Sequence, residues 1–349
     1  MRWLDLFAGG GGTAQGLHAA GHKAIGIEWD EAAHATHVAA GFPCIHGDVR
    51  DLKLLDDLGA FDAVWSSFPC QDWSTAGKRE GPKGERNGWP WTVDVLDEVR
   101  PEWFVGENVQ GLIQHKGACE KGCIGPEECP RAYFERVILE QLRARFAWVG
   151  WRVLDAADYG TPQFRKRVFI VAGPRSITWP APTHCAPEKA TQCDMFGREV
   201  KRWWTVREAL GLGGYVRTEQ RGAVAATVGE PCPTVGTAGN QYLHASDPGS
   251  RLKQPMAIAP SFVMNRGSRG RPKTSVDEPC PTVATPGKGG YTGRLSLGCR
   301  RLEPSECAVL MGWPADYPLQ GNKSDRYRIV GNGVVPIVAQ RLAEAVGAA

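Results

Sequence analysis

The feature that most constrains the fold lies near the start of the chain, where a strand-like run meets four consecutive glycines. Leu4–Leu17 reads LDLFAGGGGTAQGL, an apolar run, a glycine loop and a stretch of helical composition. Glycine permits the tight turn from strand to helix and lets a ligand lie against the backbone. Gly9, Gly11 and Ala14 also satisfy the G-x-G-x-x-A form of the dinucleotide fingerprint. This pattern predicts a doubly wound α/β sheet with a cofactor at the end of its first strand.

Apolar runs alternate with helix-like stretches through about the first 175 residues. This alternation is typical of βαβ units on a parallel sheet. The predicted strands are Arg2–Phe7, Lys23–Glu28, Phe61–Ser67, Trp103–Gly106 and Val168–Ala172, and the predicted helices lie near Thr13–Ala20, Asp30–Ala40 and Ala132–Phe146.

The character of the sequence changes after Gly173. A proline-rich run there predicts a linker, because proline breaks regular structure. The residues that follow, up to about 300, are dense in Gly, Pro, Thr and Arg and contain a repeat, GEPCPTVGT and DEPCPTVAT. We therefore predict a catalytic domain over residues 1–175, a smaller loop- and β-rich domain over 176–319, and a segment, 320–349, that returns to the first domain.

Basic residues are concentrated in one segment of the chain. The net charge of the 349 residues is only +3, but Arg251–Arg301 carries ten Lys or Arg against two acids, Asp277 and Glu278. That excess of eight leaves the rest of the chain at −5, which predicts one face that meets a polyanion such as nucleic acid. A solvated surface that happens to be basic explains the charge equally well.

Composition excludes several classes of protein. With 42% hydrophobic and 23% charged residues, the chain is neither disordered nor fibrous. No apolar run approaches the ~20 residues needed to cross a bilayer, and the first motif follows Met1 too closely for a signal peptide. Eleven cysteines, an odd number, do not suggest a disulfide scaffold. We expect a cytoplasmic protein with free thiols and no membrane association.

Acidic residues follow the second and third strands, where a nucleoside would lie. Glu28 ends the second strand sixteen residues after Gly12, and a carboxylate at that place can bind ribose hydroxyls. Trp29 offers a stacking face for adenine, and Asp48 would meet the adenine amino group. Together these residues predict an adenosine-containing cofactor. They leave a nicotinamide cofactor open.

Three further motifs place reactive side chains at the same edge of the sheet. Cys70 in FPCQDWS lies just beyond the strand FDAVWSS, where a thiolate can act as a nucleophile if its neighbours lower its pKa. Glu107 in ENV follows the strand EWFVG. Arg165 and Arg167 in QFRKRVF fall on one side of a strand, because side chains alternate along it. Each motif alone also has an ordinary explanation, namely a buried structural cysteine, a helix-capping carboxylate or surface ion pairs.

The order of these motifs resembles that of the DNA (cytosine-5)-methyltransferase family, of bacterial or phage type. DLFAGGGG, EW, GDV, FPCQ, ENV, QFRKR and GNGVVP occur in family order from one end of the chain to the other. The resemblance implies an S-adenosylmethionine-dependent methyltransferase (Rossmann-like) sheet with a smaller target-recognition domain. It also implies a monomeric enzyme that modifies double-stranded DNA, uses S-adenosylmethionine and needs no metal ion.

The resemblance gives each reactive residue a role. The Cys70 thiolate would add to carbon 6 of a cytosine flipped out of a short duplex sequence, and carbon 5 would then accept a methyl group. Glu107 would protonate N3, Arg165 would hold the O2 side, and Arg167 would support both. No residue can be named as the base that removes the carbon 5 proton.

The resemblance also assigns the cofactor and DNA contacts. The residues expected to bind the cofactor are Phe7, Gly9, Gly12, Glu28, Trp29, Asp48, Val49, Pro69, Asn332 and Val334. The residues expected to contact DNA are Gln71, Ser74, Arg266, Arg269 and Arg271. Two positions depart from the usual family pattern, since Phe68 stands where proline is common and Gly333 where serine or alanine is common.

Three other groups of residues are expected to have structural rather than functional roles. Cys119, Cys123 and Cys129 have a spacing that leaves zinc open but favours a metal-free loop. The residues Glu31, His34 and His37 predict a solvated helix face, and Trp203 and Trp204 are expected to be buried in the small domain.

Other functions remain as alternatives. A tRNA cytosine-5 methyltransferase would share the motifs, but the long recognition region argues against it. A non-catalytic DNA-binding homologue is disfavoured by the intact reactive set, and a nicotinamide oxidoreductase would leave FPCQ, ENV and QFRKR without a role. The sequence does not tell which DNA sequence is recognised or whether a cognate restriction endonuclease accompanies the protein.

Overall fold

The computed structural model describes residues 1–69, 87–114, 129–186, 190, 199–211 and 302–349, and the backbone of the strands between residues 261 and 301. The strands are β1 (Arg2–Leu6), β2 (Lys23–Glu28), β3 (Cys44–His46), β4 (Ala63–Ser66), β5 (Trp103–Val109), β6 (Trp148–Asp155), β7 (Gln163–Phe164), β8 (Lys166–Gly173), β9 (His184–Cys185), β10 (Lys201–Arg202), β11 (Ser261–Met264), β12 (Lys273–Ser275), β13 (Cys280–Pro281), β14 (Leu295–Leu297) and β15 (Arg300–Arg301). The helices are α1 (Gly12–Ala19), α2 (Glu31–Ala39), α3 (Trp89–Val99), α4 (Pro130–Tyr133), α5 (Leu139–Arg143), α6 (Val206–Ala209), α7 (Pro304–Leu310), α8 (Lys323–Asn332) and α9 (Pro336–Gly347).

The predicted α/β sheet is present, with seven strands in the order β3-β2-β1-β4-β5-β8-β6. Strands β1 to β5 run parallel to one another, as expected for βαβ units. Strand β8 lies antiparallel between β5 and β6, and the sequence pattern predicts neither β6 nor this reversal. The strand order changes direction at β1, so the carboxyl ends of β1 and β4 flank the crevice in which open α/β sheets bind ligands.

Apolar side chains cover both faces of the sheet, because successive residues of a strand point in opposite directions. Trp3 on β1 packs in a core with α1 and the carboxyl-terminal helices. Its neighbour Leu4 packs on the other face in a core with α3 and α5. Both side chains are fully buried, which explains why two large apolar residues occupy the centre of β1.

Helix α9 packs directly on α1. A β-carbon added at Gly16 of α1 would lie 2.3 Å from the carbonyl oxygen of Pro336, so only glycine allows this approach. Val338 and Val346 of α9 are buried. The stretch Lys323–Gly347 is long and apolar enough to cross a membrane, but 67% of its most apolar window is buried inside the protein. We therefore interpret it as a core element.

The region predicted to be β-rich contains a four-stranded sheet in the order β12-β11-β14-β15. Strand β13, which belongs to the second copy of the repeat, pairs instead with β7, where Cys280 lies beside Gln163. The second repeat copy therefore adjoins the strand that immediately precedes Arg165. The first copy lies outside the described residues, and the domain boundaries remain predictions.

Two strand boundaries near the site differ from the prediction. Strand β5 continues to Val109 rather than ending at Gly106, because Glu107 and the residues after it pair with β8. The QFRKRVF segment is interrupted at Arg165. The backbone N–H of Arg165 donates to the carboxylate of Asp155 at 2.8 Å, which ends β7 before β8 begins.

Candidate active site

The ends of the adjacent parallel strands β4 and β5 bring two predicted motifs together. Buried Asn108 of ENV donates from Nδ2 to the carbonyl oxygen of Phe68 at 2.9 Å. The next carbonyl, that of Pro69, accepts a hydrogen bond from the backbone of Gly88 at 3.2 Å. These contacts fix the residues that lead into the cysteine motif. The described residues end at Pro69 here, so three predicted site residues that come next in the chain lie outside them, namely Cys70, Gln71 and Ser74.

Glu107 and Arg167 form a largely buried ion pair. Arg167 Nε lies 3.1 Å from Glu107 Oε1, and the two side chains are 15% and 12% exposed, respectively. Burial raises the pKa of Glu107 above its ordinary value, although the guanidinium groups of Arg167 and Arg165 oppose the rise. Burial has the opposite effect on Arg167 and lowers its pKa, because in both residues burial disfavours the charged form. A carboxyl group with a raised pKa can retain a proton closer to neutral pH, as a general acid requires.

Arg165 is held by the terminal GNGVVP motif. Its side chain is buried, and Nη2 donates to the carbonyl oxygens of Gly331 at 3.1 Å and Gly333 at 2.8 Å. Glu107, Arg165 and Arg167 line one cavity of about 10 Å³, whose other walls are apolar side chains. That volume admits about one water molecule. The structure thus brings three of the predicted catalytic residues together.

The glycines of the loop after β1 face different neighbours. Gly9 has φ +56°, and a β-carbon added there would meet nothing within 4 Å. A β-carbon added at Gly12 would instead lie 2.3 Å from the carbonyl oxygen of Val334. Of the two glycines expected to admit the cofactor, Gly9 borders open space, whereas Gly12 makes room for the carboxyl-terminal segment.

Glu28 links the glycine loop to α2. Its buried carboxylate accepts from the N–H of Gly9 at Oε2 and from the N–H of Asp30 at Oε1, both at 2.8 Å. Burial raises the pKa of Glu28, and the backbone donors oppose the rise. Each carboxylate oxygen has a second lone pair, so a ribose hydroxyl could still donate to it.

Two aromatic residues predicted to bind the cofactor follow β1 and β2, namely Phe7 and Trp29. Trp29 is 72% exposed, which leaves its ring available for stacking. Phe7 has φ +57°, a left-handed conformation that is rare for residues other than glycine and often marks a functional site. Its ring lies 6.4 Å from that of Trp91, which the sequence pattern does not single out.

Asp48 is already paired within the protein. Arg50 Nε donates to its Oδ1 at 2.9 Å, and the hydrogen bonds from Arg50 lower the pKa of Asp48. An adenine amino group would therefore share this carboxylate with a guanidinium group. The adjacent Val49 is buried in the core with Leu4. Asn332, predicted to lie in the same cofactor site, is exposed at the end of α8.

Two aromatic residues that the sequence analysis missed support the glycine loop. Trp313 donates from Nε1 to the Val334 carbonyl at 3.1 Å, and the Tyr317 hydroxyl donates to the Gly10 carbonyl at 2.6 Å. Both rings are buried. A β-carbon at Gly333 would lie 2.5 Å from Trp313, which explains why this chain has glycine there. The only signal in the sequence is an aromatic pair in MGWPADY, far from the loop that it supports.

Two predictions about exposure are wrong. His37, expected on a solvated helix face, is fully buried because its ring packs beneath the loop, with Nδ1 3.3 Å from the carbonyl oxygen of Gly9. Trp204, expected to be buried, is 49% exposed. Its neighbour Trp203 does pack inward, edge-on against Phe164 at 4.8 Å.

The remaining predicted residues are only partly described. Cys129 is buried, whereas Cys119 and Cys123 lie outside the described residues. In the described ranges no cluster of three or more His, Cys, Asp or Glu could hold a metal ion. The described ranges also leave out three predicted DNA-contacting residues, Arg266, Arg269 and Arg271.

The residues at the ends of β1 and β2 fit an adenosine-containing cofactor. The Gly9 backbone borders open space, the Glu28 carboxylate bonds to it, and Trp29, the next residue along the chain, has an exposed ring. A cofactor that lies along this edge needs these three features, namely accessible backbone, a ribose acceptor and a stacking face.

Comparison with known proteins agrees with this architecture. A prophage-encoded protein of E. coli, described as a candidate DNA modification methyltransferase, superposes with a TM-score of 0.60 at 17% identity and covers 100% of this chain and 99% of its own. The Dnmt2 methyltransferase of S. pombe superposes with a TM-score of 0.56 at 15% identity, covering 98% and 96%. These likenesses show that the chain shares the fold of these two proteins.

Sequence comparison identifies the family. The Type II methyltransferase M.AquIA of Picosynechococcus sp. is 34% identical over 221 residues, 59% of this chain and 86% of that protein. M.AplI of Arthrospira platensis is 33% identical over 179 residues, 51% of this chain and 47% of that protein. M.NaeI of Lentzea aerocolonigenes is 27% identical over 358 residues, 99% of this chain and 74% of that protein. Residues 1–348 match the C-5 cytosine-specific DNA methylase family, so the chain belongs to that family and is a DNA (cytosine-5)-methyltransferase.

Proposed function

We propose that this protein transfers a methyl group from S-adenosylmethionine to carbon 5 of a cytosine flipped out of a short sequence in duplex DNA. The observation that carries the proposal is the buried Glu107–Arg167 pair beside the strand that leads to Cys70. A carboxyl group with a raised pKa at this place is suited to giving a proton to a base that is being attacked.

Carbon 5 of cytosine is a poor nucleophile, so the ring must first be activated. The Cys70 thiolate forms a bond to carbon 6 while Glu107 gives its proton to N3, and the electron pair becomes available at carbon 5. The cofactor, when bound, supplies a methyl group on a sulfonium centre, which keeps the electrons of the broken bond as a thioether. A base then takes the carbon 5 proton, and the electron pair of that bond forms the carbon 5–carbon 6 double bond as the bond between carbon 6 and the Cys70 sulfur breaks. N3 returns its proton to Glu107, which restores the ring and frees the Cys70 thiolate.

Neighbouring side chains orient the reacting groups. Asn108 holds the Phe68 carbonyl and so fixes the approach to Cys70. Arg167 restrains the carboxylate of Glu107. Arg165, whose Nη2 is anchored on two carbonyls of the terminal motif, is assigned to the O2 side of the cytosine. A paired base hides these edges, so the target must leave the stack to reach them.

The cofactor site is assigned to the edge formed by β1, β2 and the carboxyl-terminal segment. The residues proposed to hold S-adenosylmethionine are Phe7, Gly9, Gly12, Glu28, Trp29, Asp48, Val49, Pro69, Asn332 and Val334. The geometry supports Gly9, Glu28 and Trp29 most directly, through open backbone, a carboxylate and an exposed ring.

Duplex DNA is the proposed partner, with the chain acting as a cytoplasmic monomer. The proposed DNA contacts are Gln71, Ser74, Arg266, Arg269 and Arg271. The similar proteins M.AquIA and M.NaeI are named as Type II methyltransferases, so we propose a cognate restriction endonuclease in the same system.

Transfer of tritium-labelled methyl groups tests the function. Wild-type protein should label duplex DNA and leave tRNA unlabelled, and Cys70→Ala should abolish transfer while retaining DNA binding. DNA that contains 5-fluorocytosine should trap a covalent complex with the wild type only, because fluorine cannot leave as a proton does. Turnover by Cys70→Ala, or labelling of tRNA alone, would contradict the proposal. Bisulfite sequencing of plasmid from expressing cells would then give the recognised sequence.

A further inference from the structure

His37 lies on the inner side of the glycine loop. It is near the end of α2 and fully buried, and its ring contacts the glycines around it. A β-carbon added at Gly26 would lie 2.8 Å from His37 Cε1, and one at Gly11 would lie 3.4 Å from its Cγ. The ring therefore fills the space between α2, β2 and the loop.

The Gly9 residue is held through both of its backbone polar groups. Its N–H donates to Glu28 Oε2 at 2.8 Å, and its carbonyl accepts from His37 Nδ1 at 3.3 Å. The residue has φ +56°, and a β-carbon added there would meet nothing within 4 Å. The two hydrogen bonds thus fix the orientation of a backbone unit whose other side is open to a ligand.

His37 donates as a neutral imidazole. A carbonyl oxygen can only accept, so the proton lies on Nδ1. Burial lowers the pKa of His37 to about 4, which keeps the ring neutral at pH 7. Its Nε2 then presents a buried lone pair that has no hydrogen-bond partner among the described residues. An apolar side chain would avoid the cost of that unpaired group, so packing alone does not account for a histidine here.

We propose that His37 is a positioning residue that presents the Gly9 backbone to the cofactor, an inference that rests on the proposed use of S-adenosylmethionine. It touches neither the cofactor nor the target base. Its contribution is to hold a glycine, which would otherwise sample many conformations, in the one that binds.

Titration with S-adenosylhomocysteine by calorimetry, without DNA, tests this role. In His37→Asn the side-chain amide nitrogen lies near the position of Nδ1, and in His37→Gln it lies nearer that of Nε2. We expect the Asn variant to bind S-adenosylhomocysteine with a Kd within about threefold of the wild-type value. The Kd of the Gln and Leu variants should be about tenfold higher, a loss of ~1.4 kcal/mol in binding free energy. The KM for S-adenosylmethionine should rise by the same factor, while kcat at saturating cofactor changes less than about twofold.

His18→Leu is the matched control. His18 is exposed on α1, and its ring centroid lies 6.0 Å from that of Phe42, against 6.1 Å for His37. Among the described residues, its side chain makes no hydrogen bond to the glycine loop. The His18→Leu variant should bind S-adenosylhomocysteine with wild-type affinity. Equal losses in the Asn, Gln and Leu variants of His37, or wild-type affinity in all three, would overturn the role. If His37→Leu does not fold, the difference between Asn and Gln decides. A wild-type protein that binds neither S-adenosylhomocysteine nor S-adenosylmethionine would refute the proposed function and this inference together.

Discussion

Two buried carboxyl groups near the sheet edge differ in how their charge is compensated. Glu107 has a guanidinium partner in Arg167 and lines a cavity. Asp5 on β1 is fully buried, and neither of its carboxylate oxygens has a hydrogen-bond partner among the described residues. Burial, reinforced by the charge of Glu28, raises the pKa of Asp5 well above its usual value. One carboxyl group thus lies beside a cation, whereas the other has a pKa that burial raises and no hydrogen-bond partner among the described residues.

Glu107→Gln removes the transferable proton while keeping the shape of the side chain. We expect kcat for methyl transfer to fall by about 10²–10⁴. Because the pKa of Glu107 is raised, wild-type activity should decline as pH rises through that pKa and the acid loses its proton. The variant should lack this decline. Single-turnover rates over a range of pH measure both effects, and a variant with the wild-type rate and pH profile would contradict the assigned role.

Asp5→Asn tests the second carboxyl group through stability. The folded pKa of Asp5 lies above the unfolded value of about 3.9, so its contribution to stability is present below that pH and is lost as pH rises through the folded pKa. Asparagine does not titrate. The free energy of unfolding of the variant, relative to wild type, should therefore increase with pH. Urea denaturation at a series of pH values measures this, and a difference that is independent of pH would contradict it.

At the scale of elements, the glycine loop depends on contacts from distant parts of the chain. Trp313, just after α7, bonds to Val334, whose carbonyl oxygen lies against Gly12. Gly333 lies directly against the same indole ring. The glycine in GNG and the tryptophan in MGWP are therefore complementary, and the departure from the usual family motif has a steric reason.

Gly333→Ala should place a methyl group against the Trp313 ring. Gly333 has φ −64°, which any residue adopts, so the expected loss of about 1–3 kcal/mol in unfolding free energy comes from overpacking alone. Trp313→Phe removes the outer ring atoms that the methyl group meets. The loss caused by Gly333→Ala should then be smaller in that background, with a coupling of about 0.5–3 kcal/mol. Additive losses in urea denaturation would contradict the steric explanation.

Local pattern was sufficient to predict the first βαβ unit. Lys23–Glu28 is the strand predicted, and α2 is one residue shorter than predicted at each end, because Asp30 is its N-cap and Ala40 its C-cap. Other features could not be predicted from local pattern, because they depend on contacts between residues that are distant in the sequence. Burial of His37 depends on the glycine loop, and the role of Tyr317 depends on Gly10, some 300 residues earlier.

Prediction of the site had a different basis from prediction of the elements. The grouping of Glu107, Arg165 and Arg167 followed from motif order, since each motif alone has an ordinary explanation. The antiparallel placement of β8 and the interruption at Arg165 carry no signal in periodicity, because tertiary pairing determines both. The role of Cys70 remains a prediction.

At the scale of the whole molecule, charge is divided between two parts of the chain. Arg251–Arg301 has an excess of eight positive charges, and the remaining residues have a net charge of −5. A phosphate backbone would be attracted to the first part and repelled by the second. We expect this division of charge to orient DNA on the protein before any base is read.

Replacing Arg266, Arg269 and Arg271 by alanine tests that division. If the three neutralise phosphates, the slope of log Kobs against log salt concentration should fall by about 0.9 for each. If one of these arginines reads a base edge, its replacement should instead weaken binding to the recognised sequence by about 1–3 kcal/mol. Binding to other DNA should then change little. Fluorescence anisotropy on both kinds of DNA distinguishes the two. Arg341→Ala, which removes a cation paired with Glu344 on α9, is the control. An unchanged slope together with unchanged specificity would contradict both assignments.

The packing of α9 on α1 has a consequence for biosynthesis. Helix α1 emerges from the ribosome about 320 residues before the surface that covers Gly16, which begins at Pro336. While the intervening residues are being translated, the nascent chain holds its glycine loop without this support. The methyl donor should find a competent pocket only after α9 has been translated.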